Sequence, residues 1–473
     1  MRSLPLPALA AFVAAAIVPL HAEEFPPPKV LTPPAQAGLG IQRTMQLLAS
    51  STPEHRKTVR ILFYGQSITE QGWTKLVSDY LKTAYPNANL IIENRAIGGH
   101  SSQLLVKTAE ADLYPFQPDL LIFHVYGAHD KYEDIIRTVR ERTCAEVLIQ
   151  TDHLSADQSV DEPVDQAKLT MKEWAQWFNY VFLPTLHDKY QVDVVPQREL
   201  WKQYLRDYQL VPQDLLKDGV HLNARGEYLM AEIVKSQLVV HPEISPPAVK
   251  RVKTLPVSPE AWSKEEPPFV LSFEGSRIDG ILPATQSSTT QPVTVTIDGK
   301  PPSQWPQCFA FTRVSGYNRT SWPCLLRVNF GLQLPLAETW TIALKDANED
   351  YTQFHFTLTG SVTGPDGEGD GTQRFTSKSG RIVIEPEDWN LSFSRKIFKV
   401  PHPDDAPITF ETRALGVDSF VPGAGTDPHI ESTVTLAQNL PPGPHVLKLT
   451  GATGATGVSA PFTAFKVYDP RAK

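Results

Sequence analysis

Five short apolar runs between residues 59 and 240 constrain this chain more than any other feature: 59–64 (VRILFY), 88–93 (ANLIIE), 119–125 (DLLIFHV), 145–150 (AEVLIQ) and 191–195 (QVDVV). Segments of helical spacing lie between and after them, at 70–84, 101–112, 131–143, 167–189 and 224–239. A strand that is apolar along its whole length must be buried on both faces, and helices alternating with such strands supply the cover. The pattern predicts an α/β domain over 59–240, built on a parallel sheet and of ordinary size for one domain.

The chain has 473 residues, room for a second domain, and the texture changes after residue 240. Residues 241–268 carry His241-Pro242, Pro246-Pro247, Pro256, Pro259 and Pro267-Pro268, which reads as a linker. Beyond it come short alternating runs such as 293–297 (VTVTI) before Asp298-Gly299, then 340–344, 353–358, 381–385 and 445–449. Alternation of period two with Gly/Asp turns predicts antiparallel β, a sandwich, over 269–473. Such a half is expected to fold separately and to serve polymer targeting rather than chemistry. Prolines number 42, roughly twice the ordinary share, and suit edge strands and loops.

At the other end, Arg2, the apolar stretch Ala8 to Leu20 and the small Ala22 read as a signal peptide over 1–22, so a secreted or periplasmic protein is expected. Residues 23–58, Pro-rich and polar, read as a tether. No later run approaches the ~18 apolar residues of a membrane span. Net charge is −8 without a basic tract, which argues against nucleic acid as a partner. Of three cysteines, Cys308 and Cys324 are able to pair in an oxidising compartment, and Cys144 reads as a buried small hydrophobe. No Cys/His cluster has zinc-like spacing, so neither metal nor cofactor is expected.

Active groups of an open parallel sheet gather where the strand carboxyl ends run into loops. Four motifs stand there: Gly65-Gln66-Ser67-Ile68-Thr69, Asn94 to Ser101 with Gly98-Gly99, Tyr126-Gly127-Ala128-His129-Asp130, and Asp218-Gly219-Val220-His221-Leu222-Asn223. Each alone reads as a turn. Together they offer a hydroxyl nucleophile at Ser67, a base at His221 and a carboxylate at Asp218 three residues before it, close enough to fix the imidazole.

In order and separation these segments resemble the blocks of the SGNH (GDSL-type) hydrolase superfamily, including its secreted carbohydrate esterases; the resemblance covers roughly 59–240, with Asp-x-x-His-Leu-Asn and Gly226 its strongest part. It implies a flavodoxin-like three-layer α/β/α fold and ester hydrolysis through an acyl-serine. It also implies an oxyanion hole made by the Ser67 N–H, the Gly99 N–H and the side chain at position 129. The family carries Asn at that last place and Asp where this chain has Gln66. His129 is then either the third donor, since an imidazole N–H donates, or a structural substitute.

Other polar residues read as less directed. His153 with Asp152, Asp157, Asp161, Glu162 and Asp165 is a solvated loop before it is a cation site. His100 and His124 read as packing or rim residues, and Trp305, Trp322, Trp340 and Trp389 as β-half core before sugar platforms. The function expected is removal of acetyl or another short acyl group from a small molecule or polysaccharide. A lipase or phospholipid esterase, an acyltransferase on the same site, or a degraded carbohydrate-binding protein are the alternatives.

Overall fold

The computed structural model describes residues 25–245, 250–257, 269–282, 292–421, 427–451 and 462–472; the expected signal peptide and much of the Pro-rich linker lie outside them. The first long element, α1 (Gln42–Ala49), falls inside the segment read as a tether. Gln42, Thr44, Met45 and Leu48 are buried. The Glu146 carboxylate accepts the N–H groups of Arg43 and Thr44 at 2.8 and 2.7 Å. A helix N-terminus leaves N–H groups unsatisfied, and this buried carboxylate answers two of them. The segment is therefore part of the domain; its prolines shape the extended run before α1 without keeping it off the surface.

β1 (Thr58–Gly65), α2 (Ser67–Glu70), α3 (Trp73–Ala84), β2 (Asn89–Asn94), α4 (Ser102–Asp112), β3 (Leu120–His124), α5 (His129–Arg142) and β4 (Glu146–Gln150) follow the expected alternation. The stretch expected as one helix over 167–189 is instead α6 (Trp174–Trp177), a π-turn (Phe178–Phe182) and α7 (Leu183–Tyr190). After β5 (Asp193–Val195) comes α8 (Gln197–Asp207), a helix outside the expected series, whose buried face mixes Gln197, Arg198 and Lys202 with Leu200, Trp201, Tyr204 and Leu205. α9 (Ala224–Lys235) closes the domain. All pairings are parallel, in the order β2-β1-β3-β4-β5. One face packs on Met45, Trp73, Trp201 and Ile233, the other on Leu105, Ile136 and Leu186, giving three layers. The order reverses between β1 and β3, and a crevice opens at such a switch.

The second half is antiparallel β: β6 (Val252–Pro256), β7 (Phe269–Ile281), β8 (Val293–Ile297), β9 (Phe309–Phe311), β10 (Asn329–Phe330), β11 (Glu338–Lys345), β12 (His355–Gly360), β13 (Gly364–Asp370), β14 (Phe375–Thr376), β15 (Ile382–Ile384), then α10 (Leu391–Phe398), β16 (Ile408–Ala414), β17 (Ser419–Phe420), β18 (Thr433–Thr450) and β19 (Ala464–Tyr468). It holds two apolar cores. One is shared by the sheets β13-β12-β11-β16-β9 and β10-β15-β14, the other belongs to β17-β8-β18-β7-β19-β6. Cys324 lies in the first core and Cys308 in the second, so the pairing allowed by sequence does not form; both are free, and burial pushes both thiols up to about 12. Cys144 is buried as expected.

The two halves are fastened by charge and by ring packing. Arg313 Nε lies 2.9 and 3.0 Å from the two Asp112 carboxylate oxygens, and its guanidinium also donates to the Arg95 carbonyl at 2.6 Å. Lys107 Nζ is 2.7 Å from the buried Asp388. Among the described residues no helix is long and apolar enough to cross a membrane.

Candidate active site

Gly65 ends β1 beside His124 of β3, and a Cβ there would collide with the His124 carbonyl oxygen. Only glycine lets the two strand ends approach this closely, and the chain then turns at once into α2 with Ser67 as its first residue. The turn leaves Ser67 half-buried at the sheet edge. His221 Nε2 stands 2.9 Å from Ser67 Oγ, and His221 Nδ1 stands 2.9 Å from Asp218 Oδ2. Three residues predicted from two distant motifs therefore form one hydrogen-bonded line.

Asp218 is set by its own turn. Its Oδ1 accepts the N–H groups of Val220 and His221, both at 2.8 Å. The N–H of His221, then that of Val220, hold the carboxyl down at about 2 although it is exposed. The charge beside His221 Nδ1 thus persists from acid through neutral pH. Asp218 is accordingly expected to stay ionised across the acid limb of kcat/KM; a carbon-13 titration showing it protonated on that limb would contradict this.

Gln71, which the sequence did not single out, joins the motifs. Its side chain accepts from the Leu222 N–H at 3.0 Å and donates to the Leu222 carbonyl at 2.8 Å, tying the Asp218–Asn223 segment to the end of the one-turn helix that Ser67 opens. Asn223 then caps α9, accepting from the Gly226 N–H at 3.1 Å. Gln71→Ala is expected to lower kcat about tenfold while leaving KM within twofold, read by steady-state kinetics on a small ester; it removes a paired donor and acceptor at a partly buried site.

Gly99 sits at φ +72°, the left-handed region, and a Cβ on it would meet the indole of Trp322. Among the described residues neither the Gly99 N–H nor the Ser67 N–H has a protein acceptor. Trp322 belongs to the β half, yet it packs in the core that holds α4 and α5. It meets His100 edge-on at 4.8 Å and stacks on Phe393 at 5.2 Å. His100 is buried, donates from Nδ1 to the Gly98 carbonyl at 3.1 Å, and is lowered to about 4 by burial. The β half is not structurally apart from the α/β half: its Trp322 is a wall of the loop bearing Gly99. Trp340, Trp389 and Trp305 pack into or against the two β cores, as read from sequence.

His129 opens α5, with its ring edge-on to Trp177 at 5.2 Å and to Phe182 at 5.5 Å. The preceding loop is pinned by α4, where Ser102 Oγ donates to the Ala128 carbonyl at 2.8 Å and Gln103 Oε1 accepts the Ala128 N–H at 3.1 Å. Gln66 stands at the N-cap of α2 without a side-chain cap bond. The loop after β4 departs from the solvated expectation at its start. His153 is buried, and Asp152 lies 3.2 Å from the buried His124 while accepting from Asn179 at 3.1 Å. Burial raises the Asp152 carboxyl, but His124 and Asn179 outweigh it and the net direction is down. Asp157, Asp161, Glu162 and Asp165 remain at the surface, half to fully exposed.

No protein-family model and no curated protein matches the chain. Among solved structures it is similar to an acetylxylan esterase of Geobacillus stearothermophilus, at 16% identity and TM-score 0.33, covering 41% of this chain and 100% of the other. A GDSL-like lipase of Parabacteroides merdae is similar over 39% of this chain and 98% of its own, at 18% identity and TM-score 0.32. A two-domain esterase active on acetylated mannans is similar over 92% of this chain and 96% of its own, at 13% identity and TM-score 0.34.

Proposed function

We propose that this chain is a serine esterase that removes acetyl or another short acyl group from carbohydrate through an acyl-serine intermediate. The observation that carries the reaction class is the line Ser67–His221–Asp218, with 2.9 Å at each link. His221 Nε2 takes the hydroxyl proton as Ser67 Oγ bonds to the acyl carbon. The carbonyl oxygen becomes an oxyanion facing the N–H groups of Ser67 and Gly99. Collapse breaks the bond to the alcohol, which leaves with the proton from Nε2. Water then repeats the sequence on the acyl-serine, releasing the acid and restoring Ser67. Asp218 holds the Nδ1–H tautomer and stabilises the imidazolium without taking its proton. The export expected from residues 1–22, the appended β half and the family resemblance support carbohydrate as the alcohol.

The test is acetate release from a panel of acetylated polysaccharides beside nitrophenyl esters of increasing acyl length. Turnover of acetyl esters with a steep fall beyond short chains is expected; preference for long chains would replace this reading by a lipid esterase.

His129 is proposed as the third oxyanion donor. His129→Ala is expected to lower kcat about 10²–10³-fold with little change in KM, because the bond strengthens only in the transition state. His129→Asn, which restores a neutral N–H donor, should recover part of the loss. A parental kcat in the Ala variant would leave two backbone N–H groups as the whole hole.

A further inference from the structure

The two carbonyls that project from the Asp218–His221 turn are both held by one segment, the start of the loop after β4. Ala156 N–H donates to the Gly219 carbonyl at 2.9 Å, and His153 Nε2 stands 2.7 Å from the Val220 carbonyl. A carbonyl only accepts, so His153 Nε2 carries the hydrogen. The Gly219 carbonyl and the Val220 N–H belong to one peptide group, and the Val220 carbonyl and the His221 N–H to the next. Both N–H groups end on Asp218 Oδ1 at 2.8 Å. Each peptide is therefore gripped at its oxygen by the 153–156 segment and grips the catalytic carboxylate with its nitrogen.

We infer that His153 is a positioning residue for catalysis, acting through the Val220–His221 peptide on Asp218 and on the base. Donation to a carbonyl polarises the peptide and strengthens its N–H as a donor, while fixing the plane in which that N–H points. The same plane sets the backbone from which the His221 ring reaches Ser67. The inference rests on the esterase reading for its meaning, not for its geometry.

The surroundings suit a fixed neutral donor. His153 is buried, its ring lies 5.3 Å from that of Trp201, and Arg198 donates to its own carbonyl at 3.2 Å. Among the described residues Nδ1 has no partner, as a buried lone pair would be left. Burial, then the nearby His124, lowers the ring to about 4; the Val220 carbonyl and Asp152 oppose this, and Arg198 adds a smaller lowering. The donor does not change charge where the base works.

The experiment has one arm without catalysis and one with it. In the full-length parent, nitrogen-15 spectra of labelled histidine should show His153 as the neutral Nε2–H tautomer from pH 5 to 9. An Nδ1–H tautomer would overturn the inference whatever the enzyme's activity. His153→Leu removes the donor at similar volume, and His153→Gln keeps an N–H. In the Leu variant kcat should fall about 10–100-fold at nearly constant KM, and the Asp218 carboxyl, followed by carbon-13 titration, should move up from about 2. The Gln variant should restore part of both. A folded Leu variant with parental kcat and an unmoved Asp218 would refute the role. Should the Leu variant not fold, the tautomer and the Gln variant's kcat and Asp218 titration decide. The titration arms separate failure here from failure of the esterase reading, which only the activity panel addresses.

Discussion

Ser67→Ala should fold like the parent and lose about 10⁴–10⁶-fold in kcat, the scale on which a triad nucleophile matters. The expectation follows from geometry: Ser67 Oγ is the atom at 2.9 Å from His221 Nε2, and no second hydroxyl bonds to that nitrogen among the described residues. Thermal unfolding should change little, because the side chain is half-buried and makes no other side-chain bond. A serine-directed phosphonate should label position 67 in the parent and nothing in the variant. Labelling at another serine, or a loss below tenfold, would remove Ser67 from the mechanism.

The second large effect concerns the β half. A chain ending near Ser245 should be insoluble, or inactive even on small soluble esters. Truncation strips Trp322 from the core around α4 and α5 and uncovers the loop that carries Gly99. It also leaves the Asp112 carboxylate, with a side chain 3% exposed in the full chain, without Arg313. Burial already pushes that carboxyl up, with Arg313 opposing. Removing one partner of such a pair costs about 3–5 kcal/mol, and a large-to-small change at an aromatic costs a similar amount. These are comparable with the whole stability of a domain. The finer variant Trp322→Ala, in the full chain, should lower both melting temperature and kcat. A soluble monomer of residues 25–245 with parental kcat on a nitrophenyl acetate would show that the β half leaves the cleft alone.

What was legible in the sequence was local and periodic. The five apolar runs fixed the strands because a strand buried on both faces cannot hide its composition. The Asp-x-x-His spacing placed the Asp218 carboxylate beside the His221 ring because one turn of backbone spans it. What escaped was set by partners far along the chain. Met45 and Leu48 looked like tether because the carboxylate that caps their helix, Glu146, is a hundred residues away. α8 was missed although Leu200, Trp201, Tyr204 and Leu205 recur at helical spacing, because the polar Gln197, Arg198 and Lys202 buried with them break up the apolar run. Trp322 read correctly as core, but of the wrong half, and composition gives no hint of which core an indole enters. His153 looked like part of an acidic loop until the Val220 carbonyl was found above it. The single sandwich became two cores because strand runs do not say which sheet they join.

The seat of Trp322 on the catalytic loop also sets a clock. The α/β half is complete in the chain by residue 235, but the indole that walls the Gly99 loop is added almost ninety residues later. A nascent chain that has just finished α9 lacks Trp322 over the Gly99 loop, and the apolar surface this leaves uncovered beside α4 is expected to favour aggregation. On the proposed reading, competence for catalysis is expected to come late in synthesis, and rupture of the seam between the halves should silence the site without touching Ser67, His221 or Asp218.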